Sequence, residues 1–134
     1  MMKKMKLWRC PLCGNLMAVL EDGGVTPECC GQPMEEVPVG TADASAEKHV
    51  PVITTEADRV TVRIGTLPHP MTAMHYIQWI CLQTERSGYW RELTPSDAPV
   101  AEFHPEKGDR PLCAWAFCNQ HGLWTGMADP DTKA

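Results

Sequence analysis

Along the second half of the chain, apolar positions recur with the period of a β-strand, not of a helix. Val60, Val62 and Ile64 alternate with Arg59, Thr61 and Arg63, as a strand with one buried face requires. His75 to Leu82 is a nearly unbroken apolar and aromatic run of strand length, and Tyr89 to Leu93 follows it. Turn residues at Thr94 to Pro99 and at Glu106 to Arg110 then lead into Leu112 to Cys118. No long window carries an apolar stripe at helical spacing, so roughly 90 residues are predicted to form an antiparallel β-sandwich. Upstream, residues 35–46 are small and polar without sustained periodicity, which marks a boundary. The pattern predicts a mainly β protein: a small domain over residues 1–37, a linker over 38–48 and a sandwich over 49–134.

Composition sharpens this picture. Of 134 residues, 43% are hydrophobic and 22% charged, which suits a globular chain, and no apolar run is long enough to span a bilayer. The Lys-rich start runs into Arg9 and Cys10 without the apolar stretch of a secretory leader, so a cytoplasmic location is expected. The net charge of −5 and the scattered cations argue against a nucleic-acid surface. They also offer no global attraction for an anionic substrate, so any steering must be local. Seven cysteines in a reducing compartment point to metal ligation or redox chemistry, not to a disulfide framework.

Four of those cysteines lie in the first 30 residues. Cys10 and Cys13 form a C-x-x-C knuckle followed by Gly14, which lets the backbone turn so that amides face the sulfurs. Cys29 and Cys30 supply the second pair. Four thiolates suit tetrahedral zinc or iron, and spacing does not separate the two metals. A segment of about 35 residues also needs such a staple, because its hydrophobic core alone is too small. Adjacent ligands cannot both adopt a relaxed C-x-x-C loop, so a somewhat distorted tetrahedron is expected. A purely structural zinc knuckle is the plain alternative.

The histidines frame a second site. His49 stands where the linker enters the sandwich, His69 is held between Pro68 and Pro70, and His75 opens the long apolar strand. Cys118 and His121 form a C-x-x-H pair that proves nothing alone, but with three further imidazoles it makes a five-donor set. Imidazoles suit zinc, copper or iron, a thiolate favours a redox metal, and a sixth position left open is what a catalyst needs. On the last apolar strand Ala114, Ala116 and Cys118 share one face, and Cys113, Trp115 and Phe117 the other. Strict alternation puts Cys81 on the same face as His75 but about 20 Å along the strand, too far to share its metal. Cys81, Cys113 and His104 therefore read as packing or surface residues.

These motifs, Cys10-x-x-Cys13, Cys29-Cys30-Gly-x-Pro-Met, Glu47-Lys48-His49-Val-Pro, His69-Pro-Met, His75-Tyr-Ile-x-Trp and Cys118-Asn-x-His121-Gly-Leu-Trp, together resemble desulfoferrodoxin, the two-iron superoxide reductase family. The resemblance runs in order from about residue 8 to Trp124. It implies a desulforedoxin-like domain with iron on Cys10, Cys13, Cys29 and Cys30, followed by an immunoglobulin-like sandwich. There, catalytic iron would sit on His49, His69, His75 and His121 in a plane, with Cys118 axial. It also implies a homodimer and superoxide as substrate; a rubredoxin-like protein or a flavoprotein is the expected class of electron donor. Cys81 stands where a polar or acidic residue is expected.

Cys118, opposite the vacancy, would donate electron density and help peroxide leave before its O–O bond breaks, with the Asn119 and Gln120 amides tuning the thiolate. Lys48 would attract superoxide and organise protonating water, and the resemblance implies that Glu47 fills the sixth position at rest. The competing readings are a non-catalytic zinc- or iron-binding protein, a rubredoxin-like electron carrier and a superoxide dismutase.

Overall fold

The described residues, 5–40, 49–66 and 69–129 of a computed structural model, are nearly all β-strand. They divide into two units, Met1–Pro38 and Val39–Ala134.

In the first unit β1 (Leu7–Arg9) lies between β2 (Leu16–Ala18) and β5 (Glu35–Glu36), both antiparallel to it. A separate hairpin pairs β3 (Glu28–Cys29) with β4 (Gln32–Pro33). Its two turn residues, Cys30 and Gly31, have φ of 55° and 76°, the doubly left-handed turn whose twist matches the flanking strands. Glycine takes that conformation freely; Cys30 takes it at a cost of about 1–2 kcal/mol. Trp8, Cys10 and Met34 form the small buried cluster, with Val19 and Cys29 packed against it. So few side chains cannot supply much burial energy, which leaves the cysteines to hold the unit.

The second unit is a two-sheet sandwich. Its strands are β6 (Val39–Gly40), β7 (Pro51–Glu56), β8 (Arg59–Ile64), β9 (Ile77–Thr84), β10 (Gly88–Glu92), β11 (Val100–Phe103), β12 (Pro111–Cys118) and β13 (Gly122–Met127). One sheet has the order β10-β9-β12-β13-β6 and the other β11-β8-β7. Val39 and Gly40, within the stretch read as linker, add a parallel strand beside Leu123 and Trp124. Val60, Val62 and Ile64 face inward as their alternation predicts, meeting Ile80 and Leu82 of β9 and Ala114, Ala116 and Cys118 of β12.

Cys113, Trp115 and Phe117 lie on the other face of β12, as strand alternation requires. The Cys113 thiol and the Trp115 indole N–H both donate to Gln83 Oε1 at 3.3 Å. Trp79 stacks on Trp90 (4.1 Å) and on Phe117 (5.7 Å), joining β10, β9 and β12 across that face. Cys81 is buried, opposite Trp115.

One expectation changes. His75 does not open a strand, because β9 begins at Ile77, and His75 instead closes a turn with Thr72 through paired backbone hydrogen bonds of 2.9 and 3.2 Å. Pairing of β9 with β12 also slips at this end: Trp79 faces Phe117, but Cys118 faces Ile77, so Gln78 is an extra residue. This β-bulge reverses the face on which preceding residues lie. Ile77 thereby joins Cys118 in the core, and the alternation that would align His75 with Cys81 is broken.

Burial lifts the Cys81 thiol from 9.0 to about 11, with the nearby Cys113 adding to the rise. Below pH 9 folded and unfolded chains both keep that proton; between pH 9 and about 11 the unfolded chain loses it first, so stability falls as pH rises. Chemical denaturation across this window should show a declining midpoint, and Cys81→Ala should make the decline shallower.

Candidate metal centres

The first unit gathers Cys10, Cys13, Cys29 and Cys30 with all four sulfurs within 4.8 Å of one another. Cys13 and Cys29 Sγ are 3.7 Å apart and Cys29 and Cys30 Sγ 4.0 Å. A tetrahedral ion with metal–sulfur bonds of about 2.3 Å needs sulfur–sulfur edges of roughly 3.8 Å, so the cage fits zinc or iron. The adjacency of Cys29 and Cys30 is absorbed by the left-handed backbone at Cys30. Across the site the knuckle closes through Gly14 N donating to Cys10 O at 3.0 Å, with Gly14 at φ 79°. The Cys13 backbone N–H points at Cys10 Sγ (3.4 Å) and pulls that thiol down to about 6. Cys30 is pushed up to about 12, chiefly by hydrogen bonding with Cys13 and Cys10. Four clustered sulfurs resist full ionisation until a cation neutralises them, which is the linkage expected of a metal cage.

In the second unit five potential donors converge at one end of the sandwich. His49 precedes β7, His69 follows β8, His75 precedes β9, Cys118 ends β12, and His121 sits in the turn to β13. Gly122, at φ 82°, completes that turn. The imidazoles form a closed ring: centroids of successive pairs His49–His69, His69–His75, His75–His121 and His121–His49 are 4.9, 4.7, 4.9 and 4.7 Å apart. The diagonal His49–His75 is 6.5 Å. Four imidazoles bound in a plane at about 2.1 Å should show ring-centre edges near 4.6 Å and diagonals near 6.5 Å. The four rings match that square. The donor atoms of His49, His75, Cys118 and His121 lie within 4.8 Å of one another, and Cys118 Sγ is 3.7 Å from His121 Nδ1.

Protonation states agree with ligation. His69 Nδ1 lies 2.7 Å from Pro70 O, and since a carbonyl only accepts, Nδ1 carries the proton. Its Nε2 is then a bare acceptor, buried and without a hydrogen-bond partner, in a ring that packs edge-on against His49 and His75. Burial lowers His69 to about 4, keeping the ring in its neutral, metal-binding form. Cys118 is fully buried, and burial raises its pKa against the backbone N–H groups of Gln120 and His121, which lower it.

Neighbouring side chains tie the ligand-bearing segments together. Asn119 Oδ1 accepts from Tyr76 N (2.9 Å), and the amides of Asn119 and Gln120 donate to Met74 O (3.1 and 2.7 Å). The expected tuning of the thiolate thus comes from backbone amides at Gln120 and His121, while the Asn119 side chain joins the Cys118 turn to the His75 turn. The indole of Trp124 stacks on His49 (4.8 Å, 18°) and donates to His121 O (3.0 Å). Neither this stacking nor the bulge at Gln78 was visible in residue spacing. Glu47 and Lys48 lie outside the described residues. His104 lies at the end of β11, and no described contact joins it to the site.

The sequence profile of the desulfoferrodoxin family matches residues 41–127, and that of the desulfoferrodoxin N-terminal domain matches residues 2–37. The chain belongs to the desulfoferrodoxin family. It is 42% identical to the desulfoferrodoxin of Syntrophotalea carbinolica over 93% of this chain and 98% of that protein. A superoxide reductase from Pyrococcus abyssi is 36% identical over 64% of this chain and 90% of that protein. The crystal structure of the superoxide reductase from Treponema pallidum superposes with a TM-score of 0.79 at 32% identity, covering 94% of this chain and 99% of that one. Both desulfoferrodoxin profiles thus fall on stretches that carry a candidate metal site, the four sulfurs in one and the cluster of His49, His75, His121 and Cys118, with His69 beside it, in the other.

Proposed function

We propose that this desulfoferrodoxin-family protein is a superoxide reductase, carrying one iron in each site. The observation that carries this reading is the closed square of four imidazoles with the buried Cys118 thiol beside it. Zinc stapling alone needs no such five-donor set, and a rubredoxin-like carrier would leave it unused. In this assignment Cys10, Cys13, Cys29 and Cys30 hold one iron, and His49, His69, His75, His121 and Cys118 hold the other. The proposed division is a cysteine-cage domain over residues 1–37, a linker over 38–48 and the reductase domain over 49–134, with Val39 and Gly40 joined to its sheet.

Reduction of superoxide consumes one electron and two protons and yields hydrogen peroxide. Ferrous iron at the histidine site would supply the electron. The protein's own groups supply the rest. Neutral imidazoles at His49, His69, His75 and His121 offer four nitrogens without adding negative charge, and Cys118 contributes one thiolate, stabilised by the Gln120 and His121 amides. Its proton leaves when metal binds. His121 is exposed and His75 partly so, whereas His49 and His69 are buried, which opens the site to solvent on one side. Lys48, beside His49 in sequence, is proposed to attract the superoxide anion and order protonating water, and Glu47 to close the site at rest.

Among the described residues no helix is long and apolar enough to cross a membrane. We place the protein in the cytoplasm as a homodimer, where a rubredoxin-like or flavoprotein donor returns the electron. Its seven cysteines, unpaired by disulfides, suit a reducing compartment.

An anaerobic superoxide pulse on iron-loaded protein should oxidise the histidine site and yield peroxide without oxygen, one external electron being consumed per superoxide. Oxygen evolution would indicate dismutation, and zinc in the histidine site would end the reductase reading. Cys118→Ser should abolish normal reduction, and an unaltered rate would refute the thiolate's role. Lys48→Ala should slow the bimolecular step about tenfold and flatten its ionic-strength dependence, as loss of local steering predicts; stopped-flow measurement at several salt concentrations checks it.

A further inference from the structure

Trp124 contributes no donor atom, yet it touches two neighbouring members of the histidine square. Its indole face lies on His49 at 4.8 Å and 18° from parallel, and its Nε1–H donates to the backbone carbonyl of His121 at 3.0 Å. Those two histidines form the edge on which His49 Nε2 and His121 Nδ1 approach to 3.1 Å.

The indole itself has little room to move. It is 5% exposed, and a Cβ placed on Gly40 would lie 2.6 Å from its Cε3, 2.7 Å from Cζ3 and 2.8 Å from Cδ2. The ring therefore lies against the bare backbone of Gly40 and stacks on the imidazole of His49. Two residues further along β13, a Cβ on Gly126 would collide with the backbone carbonyl of Pro51, two residues after His49. Strand β13 thus offers an indole face and a glycine gap, and the His49 segment settles on both.

This matters because an imidazole ligand has two side-chain torsions, the second with a broad and shallow preference. A metal bond fixes one ring atom, but the ring plane needs another partner. For His69 that partner is the Pro70 carbonyl. For His49, stacking on Trp124 supplies one such partner.

We infer that Trp124 is the positioning residue for the His49–His121 edge of the metal site: it sets the ring plane of His49 by stacking and anchors the His121 turn through its indole N–H, with Gly40 as the seat that holds it. This rests on the reading that both histidines bind the catalytic iron. Outer-shell partners of this kind typically alter metal affinity by about 10–100-fold.

The test uses full-length, iron-loaded protein. Trp124→Leu removes both contacts, Trp124→Phe keeps an aromatic face and removes the N–H, and Gly40→Ala leaves the indole intact but displaces it. Three quantities are followed: iron release to a chelator, the ferric–thiolate absorption of the histidine site, and the absorption of the cysteine cage as an internal control of folding. Release from the histidine site should be at least tenfold faster in Trp124→Leu and Gly40→Ala. Trp124→Phe should fall between these and the parent protein. The ferric–thiolate band should shift, with the cage spectrum unchanged.

A parent-like release rate and band position in Trp124→Leu and Gly40→Ala, with the cage intact, would overturn the assignment of Trp124 alone. Should Trp124→Leu or Gly40→Ala fail to fold, Trp124→Phe decides: parent-like release and an unshifted band would overturn the N–H anchor. Failure of the parent protein to take iron at the histidine site would instead overturn the reading of that site, and the role of Trp124 with it.

Discussion

Bringing four imidazoles and a thiol to one point is the demand that the sandwich is built to meet. The donors come from four stretches, spanning His49 to His121, and ordering each stretch costs backbone and side-chain entropy before any metal bond forms. The rigid part of the fold bears that cost in common. Core strands β8, β9, β11 and β12 lock together through Val60, Val62, Ile64, Ile80, Leu82, Phe103 and the small residues Ala114 and Ala116, so their ends emerge at defined places. The ligands then need only short excursions from those ends. The Cys118 turn, the His75 turn and the His49 segment are fastened by Asn119, Gln120 and Trp124 without spending a donor atom on the task.

The two metal sites solve different problems. In the first unit very few side chains are buried, and the cysteine cage substitutes for a core; the knuckle amide at Cys13 and the left-handed Cys30 serve a compact tetrahedron. In the second unit the core exists independently of any ion, and the donor set can be arranged for reactivity. Two of its histidines are buried, one is exposed, and the thiol is wholly enclosed. Burial keeps His69 neutral and ready to bind; for Cys118 the same burial opposes ionisation, and the two backbone amides partly compensate.

A β-bulge is central to this arrangement. Were Gln78 paired regularly opposite Cys118, period-2 geometry would put Ile77 on the face that carries Cys81 and Trp79. The slip instead aligns Ile77 with Cys118 and leaves the preceding turn on the side of the site. Bulges are common where a sheet must re-aim a side chain, and here the re-aimed segment carries His75.

Much of this was legible in residue order alone. The alternation at Val60 to Ile64, the faces of Leu112 to Cys118, the cysteine cage and the five-donor set all follow from local periods and ligand types, because a strand's side chains alternate whatever surrounds them and sulfur and imidazole bind metals in any fold. Residue order could not reveal where periodicity would be interrupted. His75 read as the first residue of a strand because apolar character continues through it; the slip at Gln78 arises from pairing with β12, a partner more than thirty residues away. Stacking of Trp124 on His49, the seat at Gly40 and the square of rings were likewise decided by tertiary structure, since each joins residues distant in the chain whose approach no local pattern encodes. Sequence by itself determined which atoms could bind metal, and the packed sheets decided how those atoms face one another.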